Sequence, residues 1–167
     1  ESQSLEDQSK EAYDAELKAL NELYNGKKLS TLKTNLEERR EYFNTLVKDG
    51  ELIIDGELYD YVKSLLDKIL VNMQLGPRTL FLVRDESANA FNMGDNNIFV
   101  HLGLILRAEN EAQVVFVLGH ELGHNELNHY QEKLLDYAEL ATNDSIQRRI
   151  QKIKASEYGR VSAMNSL

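Results

Sequence analysis

Cysteine and tryptophan are absent from this 167-residue chain, and proline occurs once. Without cysteine there is no disulfide, no thiolate nucleophile and no cysteine-ligated metal, although the compartment stays undetermined. A single proline and nine glycines exclude a collagenous or low-complexity chain. Long apolar runs are missing too. The longest, Val114 to Leu118, falls far short of the ~20 residues that span a bilayer, so no transmembrane segment is expected. Positive charge is scarce: 19 Lys and Arg face 28 Asp and Glu, a net charge of −9. A surface that acidic repels phosphate backbones and anionic lipid heads, which argues against nucleic acid as a partner. The chain begins at Glu1, without methionine or a signal-peptide pattern. A processed secreted protein and a piece of a longer chain share that beginning.

What is present suffices for one domain with a real core, since 42% of the residues are hydrophobic. No internal repeat or linker stands out. Tyr13, Leu17, Leu20 and Tyr24 recur at helical spacing before a stop at Asn25-Gly26. Leu29, Leu32, Leu36, Phe43 and Leu46 form a second amphipathic stretch, ended by Asp49-Gly50. Leu58, Val62, Leu65, Leu66, Ile69 and Leu70 form a third. The pattern then changes to strand-like runs at 79–83, 89–91 and 97–101, the last two flanking the turn residues Gly94-Asp95-Asn96. Asn110 with Gln113 three residues on forms a capping box that opens a long helix. The run from Ala112 to Leu118 is apolar all round, which predicts burial.

The expected fold is therefore α+β and mainly helical. A helical segment at 1–75 packs on a core at 76–167. In that core a small, mostly antiparallel sheet at about 79–101 lies on a long buried helix at about 110–140.

That helix carries the chemistry. His120 and His124 bracket Glu121 in the spacing H-E-x-x-H. Residues four apart on a helix point the same way, so the two imidazoles can grip one tetrahedral zinc ion. Glu121 sits about 100° round the axis, too far to ligate with them but able to reach a water on the metal. Zinc lowers the pKa of such a water towards ~7, and the carboxylate can accept its proton as general base. The same group can then hand the proton to a leaving amine. The bland reading, two core histidines satisfied by hydrogen bonds, must carry the cost of burying three polar side chains. Gly123 costs a helix ~1 kcal/mol relative to alanine and points to a close neighbour.

The other two histidines are weaker candidates. His129 lies five residues past His124, whereas the longer pattern H-E-x-x-H-x-x-G-x-x-H places its third histidine six past, with a glycine where this chain has Leu127. If the helix continues, His129 points about 180° away from His120. A surface position, or support of the ligands from outside, is expected of it. His101 ends a strand and is expected to be structural or to lie at the rim of the cleft.

Together these residues resemble a known family. Asn89-Ala90-Phe91, a glycine-bearing turn, Ile98 to Ile105, an acidic helix start and then His120 to His129 with the pattern H-E-L-G-H-x-x-x-x-H are similar to the M48 zinc metallopeptidases. The resemblance covers roughly residues 79–130, and the turn Met93 to Asn97 departs from the family's Pro-Gly-Gly-like sequence. It implies a zincin-like fold, one Zn2+ per chain, and endopeptidase activity on protein or peptide substrates. The implied ligands are His120, His124 and a glutamate from a later helix, usually within E-x-x-A-D. It also implies that an edge strand before the zinc helix, here Asn97, Ile98, Phe99, Val100 and His101, pairs with the substrate backbone, as strand addition allows for any extended peptide. The resemblance points to the soluble, exported bacterial branch of the family, periplasmic or envelope-associated.

No E-x-x-A-D follows His124. Glu157 is the nearest candidate, but Arg160-Val161 stand where Ala-Asp would. A helix to about Leu140 runs ~27 Å past the motif, and one returning from a break at residues 142–145 recovers only ~18 Å by Glu157. The third ligand is therefore expected beyond Leu167, and this chain alone is expected to bind zinc poorly and show little activity. The competing reading is a non-catalytic zincin-like domain that binds extended or unfolded polypeptide.

Overall fold

The computed structural model describes residues 2–153. Two long helices come first, α1 (Ser2–Leu23) and α2 (Gly26–Lys48). They are followed by the two-residue strand β1 (Leu52–Ile53) and helix α3 (Glu57–Met73). Strands β2 (Thr79–Val83), β3 (Ala90–Phe91) and β4 (Asn97–His101) lead through the short α4 (Leu102–Arg107) to α5 (Glu111–Glu126) and α6 (His129–Thr142). Residues 144–153 are helical again, capped by Asn143, whose Oδ1 accepts from the backbone N of Ser145 at 3.1 Å and of Ile146 at 3.3 Å. No described helix is long and apolar enough to cross a membrane.

The sheet has order β1-β2-β4-β3. It is mixed: β1 pairs antiparallel with β2, and β3 antiparallel with β4, while β2 and β4 run parallel over all five residues, Thr79 opposite Asn97 through Val83 opposite His101. Alternation along the strands sorts the apolar residues between two faces. Leu80, Leu82, Ile98 and Val100 meet Val62, Leu65, Leu66 and Leu70 of α3 and Val114, Leu118 and Leu122 of α5 in one buried cluster. On the opposite face Phe81, Val83 and Phe99 pack against Phe43, Leu46 and Val47 of α2. Ring stacking extends that face, with Phe81–Phe99 centroids at 5.2 Å and Phe91–Phe99 at 4.9 Å.

The parallel pairing comes from a crossover at residues 84–89. The chain leaves β2, passes the far end of β4, descends β3, turns, and rises as β4 between the two earlier strands. Gly103 permits the crossing: a Cβ there would lie 1.9 Å from the carbonyl oxygen of Glu86. Its backbone N donates to Asp85 O at 2.9 Å.

Two expectations need correction here. The helix expected over about 110–140 is two helices, because the chain bends at Leu127–Asn128 and Asn128 adopts a left-handed conformation (φ 53°, ψ 29°). Asparagine tolerates that conformation better than other side chains do, because its short amide can bond locally. Nor is α5 buried all round. Val114, Leu118, Glu121 and Leu122 face the core, whereas Phe116 is 73% exposed and His120 is open to solvent. The sheet packs against only one side of this helix, so its other side forms a surface.

Candidate metal centre

Helix α5 is anchored at both ends by polar contacts. At its start Asn110 Oδ1 accepts from Gln113 N at 3.1 Å as expected, while Gln113 Oε1 accepts from the N of Glu109 at 2.8 Å rather than from that of Asn110. Near its end Arg78 Nε donates to Asn125 Oδ1 at 3.0 Å, and the Arg78 guanidinium pairs with Glu126. Asn125 Nδ2 in turn donates to the Asp95 carbonyl. The turn between β3 and β4 is thus tied to the zinc-motif helix. Arg39 holds the same turn from α2, donating to the Met93 carbonyl at 2.6 Å.

Between these anchors His120 and His124 face each other. Their Nε2 atoms lie 3.0 Å apart and their ring centroids 4.5 Å apart, with the planes nearly perpendicular. Two nitrogens bound to one tetrahedral zinc at 2.0–2.1 Å would be about 3.4 Å apart, so a small opening of this pair accommodates the ion. The donor set fits as well, since imidazole is a good zinc ligand and the two Nε2 atoms face each other. Among the described residues no group of three or more His, Cys, Asp or Glu is arranged to hold a metal ion. Glu157 lies outside the described residues.

Glu121 turns inward and is 9% exposed. Asn92, just past β3, donates through Nδ2 to the Glu121 backbone oxygen at 3.2 Å and to its Oε2 at 3.4 Å. Burial pushes the Glu121 carboxyl above its ordinary range, against the opposing pull of His120, His124 and the Asn92 hydrogen bond. Sequence reasoning passed over Asn92, since nothing local ties it to a residue 29 positions later. Phe116, one turn before His120, stacks on that imidazole at 6.3 Å with the planes 21° apart. Gly123 does not mark a close neighbour: a Cβ there, or at Gly119, would meet nothing within 4 Å. The flank of the helix is open instead.

The direction of His129 and the strand 97–101 depart from expectation. The break at Asn128 swings His129 back, so that its Nδ1 lies 2.7 Å from His124 Nδ1. A continuous helix would have pointed it away. Residues Asn97 to His101 do not form an edge strand: β2 occupies one side of β4 and β3 the other. The free edge beside α5 belongs to β3. Because Asn89 O accepts from His101 N at 3.0 Å, the antiparallel alternation leaves the N–H and C=O of Ala90 directed away from β4. His101 is buried, 5% exposed, and steadies the crossover: its Nδ1 lies 2.8 Å from Ser87 Oγ and 3.4 Å from Asp85 Oδ1.

The chain is similar in sequence to known proteins over more than half of its length. The sequence profile of peptidase family M48 matches residues 55–162. A beta-barrel assembly-enhancing protease of Escherichia coli is 29% identical over 97 residues, covering 57% of this chain and 20% of that protein. The protein of the same name from Yersinia pestis is 26% identical over 102 residues, covering 60% and 21%. A Vibrio cholerae protein provisionally given that name is 28% identical over 99 residues, covering 58% and 20%. The matched region thus spans about a fifth of the length of these relatives. No solved structure matches the chain.

Proposed function

The chain belongs to peptidase family M48, and we propose that it is a zinc-dependent endopeptidase unit acting on extended stretches of polypeptide. The observation that carries this reading is the convergence of His120 Nε2 and His124 Nε2 at 3.0 Å beside the inward-turned Glu121. His120 and His124 hold the zinc through Nε2. Bound there, the ion supplies the Lewis acidity that makes water nucleophilic near neutral pH. The third ligand is a glutamate from outside residues 2–153.

The protein's own groups do the rest. An extended substrate lies along β3 and is gripped by the outward N–H and C=O of Ala90, so that main-chain bonds set its register. Glu121 accepts a proton on its carboxylate as the nucleophile attacks, then returns it to the amine that leaves. Asn92 keeps that carboxylate aimed by donating to Oε2. Phe116 offers an exposed ring beside His120 against which an apolar substrate side chain can lie.

An unfolded or extended protein is the substrate class. Its support is the free strand edge and the likeness to relatives whose name ties them to β-barrel assembly. By the same reading the chain works as an exported bacterial protein.

Glu121→Gln tests the assignment. In a chain that carries the third ligand, cleavage of an unstructured polypeptide should fall to background while the zinc content, read by mass spectrometry, is unchanged. Cleavage that survives the substitution, or survives complete removal of zinc, would sink it. Equal peptide binding by wild type and variant, with no cleavage by either, would favour a binding domain instead.

A further inference from the structure

We propose that His129 is a positioning residue of the metal centre, locking the ring of His124 into the one tautomer that can ligate zinc. The inference rests on the zinc-site reading above and adds to it a residue outside the H-E-x-x-H set.

The break in the helix is what brings His129 to His124. On an uninterrupted helix, five residues carry His129 about 140° round the axis from His124, out of reach of its ring. Asn128 in the left-handed conformation redirects the chain, and the two rings come to 4.9 Å between centroids and 66° between planes. The approach is atom-specific: Nδ1 of His124 lies 2.7 Å from Nδ1 of His129. Two ring nitrogens that close need one hydrogen between them.

Which nitrogen carries it follows from the other side of His124. Its Nε2 faces His120 Nε2, and an imidazole ligates through an unprotonated nitrogen. A neutral His124 with its lone pair on Nε2 carries its hydrogen on Nδ1. His124 Nδ1–H therefore donates, His129 Nδ1 accepts, and the hydrogen of His129 sits on its own Nε2. Partners of this kind fix ring orientation and raise ligand basicity. His129 is not a ligand here, because the nitrogen it turns towards His124 addresses the side of that ring away from His120.

The start of α6 is held firmly enough for the role. Tyr130 Oη donates to Asn35 Oδ1 at 2.8 Å, the Arg39 guanidinium lies over the Tyr130 ring at 5.4 Å, and Gln131 bonds the Gly94 carbonyl. These contacts fix α6 to α2 and to the turn before β4.

Two measurements decide the matter. In the metal-free chain at alkaline pH, long-range proton–nitrogen correlation spectra should show His124 protonated at Nδ1 and His129 at Nε2. A His124 protonated at Nε2 overturns the proposal. Zinc affinity, read by competition with a chromophoric chelator, should fall roughly 10- to 100-fold in His129→Leu. Most of it should return in His129→Asn, whose Oδ1 stands on Cγ where the ring Nδ1 stood. A folded His129→Leu with wild-type affinity overturns the proposal, as does a His129→Asn no better than His129→Leu. Should His129→Leu fail to fold, the tautomer spectrum and the asparagine variant still decide. These affinities are read on a chain that carries the third ligand; if that chain takes up no zinc, the metallopeptidase reading itself fails, whereas the spectra of the metal-free chain judge the His124–His129 bond separately.

Discussion

Replacing Ala90 with proline isolates one hydrogen bond at the proposed substrate edge. The Ala90 N–H points away from β4, so a proline there removes no bond from the sheet. Edge positions with an outward N–H are where strands accept proline. A substrate strand pairing with that edge loses one backbone bond, and its unpaired carbonyl is rehydrated. The net worth of such a bond is about 0.5–1.5 kcal/mol, or roughly 2- to 13-fold in dissociation constant. The assay is fluorescence anisotropy of a labelled extended peptide in the Glu121→Gln background, where cleavage cannot interfere. Phe91→Pro is the control, since the Phe91 N–H faces Phe99 inside the ladder; it should lower the melting temperature sharply, while Ala90→Pro leaves it near wild type. Unchanged peptide affinity in a folded Ala90→Pro protein refutes β3 as the substrate edge. A loss of stability matching that of Phe91→Pro refutes the assignment of which way the Ala90 N–H points.

Two further substitutions probe the frame around the site. Gly103→Ala forces a methyl group against the Glu86 carbonyl, which is backbone and cannot swing aside. It should cost at least about 2 kcal/mol, seen as a melting temperature lower by roughly 4–8 °C; a neutral outcome would mean that the crossover at 84–89 is loose. Asp95 has its carboxyl pKa raised above the ordinary 3.8, chiefly by burial, against hydrogen bonds from Asn97 and the charge of Arg39. A carboxyl with a raised folded-state pKa stabilises the fold below its unfolded value and loses that contribution as pH rises through the folded value. In denaturant titrations the wild type should therefore lose stability relative to Asp95→Asn as pH climbs from 3.8 upward. An opposite slope would mean that the Arg39 charge, not burial, dominates there.

The parts legible in the sequence are those that local periodicity and local chemistry control. Strand runs at 79–83, 89–91 and 97–101, the Asn110–Gln113 cap and the new start at Asn143 all stand where pattern places them. The four-residue spacing of His120 and His124 put both rings on one face. What pattern missed involves partners distant in sequence. β1 is two residues long and exists because Leu52 and Ile53 pair with Val83 and Leu82, a match no window of residues contains. The resemblance takes β4 as an edge strand, but the chain returns as β4 in parallel beside β2. That return depends on a crossover which Gly103 admits, and the glycine's reason lies 17 positions back at Glu86.

The direction of His129 escapes the sequence for a different cause. Helical projection is a sound rule inside a helix and says nothing across a break, and the residue that breaks this one is a single asparagine. Asn128 was a usable signal, since asparagine near the end of a periodic run is a common left-handed stop. Its consequence reaches the chemistry. With the break in place, Glu121 is steadied from the sheet side by Asn92 while His124 is met from the α6 side by His129. On the proposed reading, the general base and one ligand are thus each oriented by a partner of their own before any ion arrives. A ligand pair arranged in advance loses less orientational freedom on binding the metal. On that reading the bend between α5 and α6 is part of the proposed metal centre, because it decides which residue meets the far nitrogen of His124.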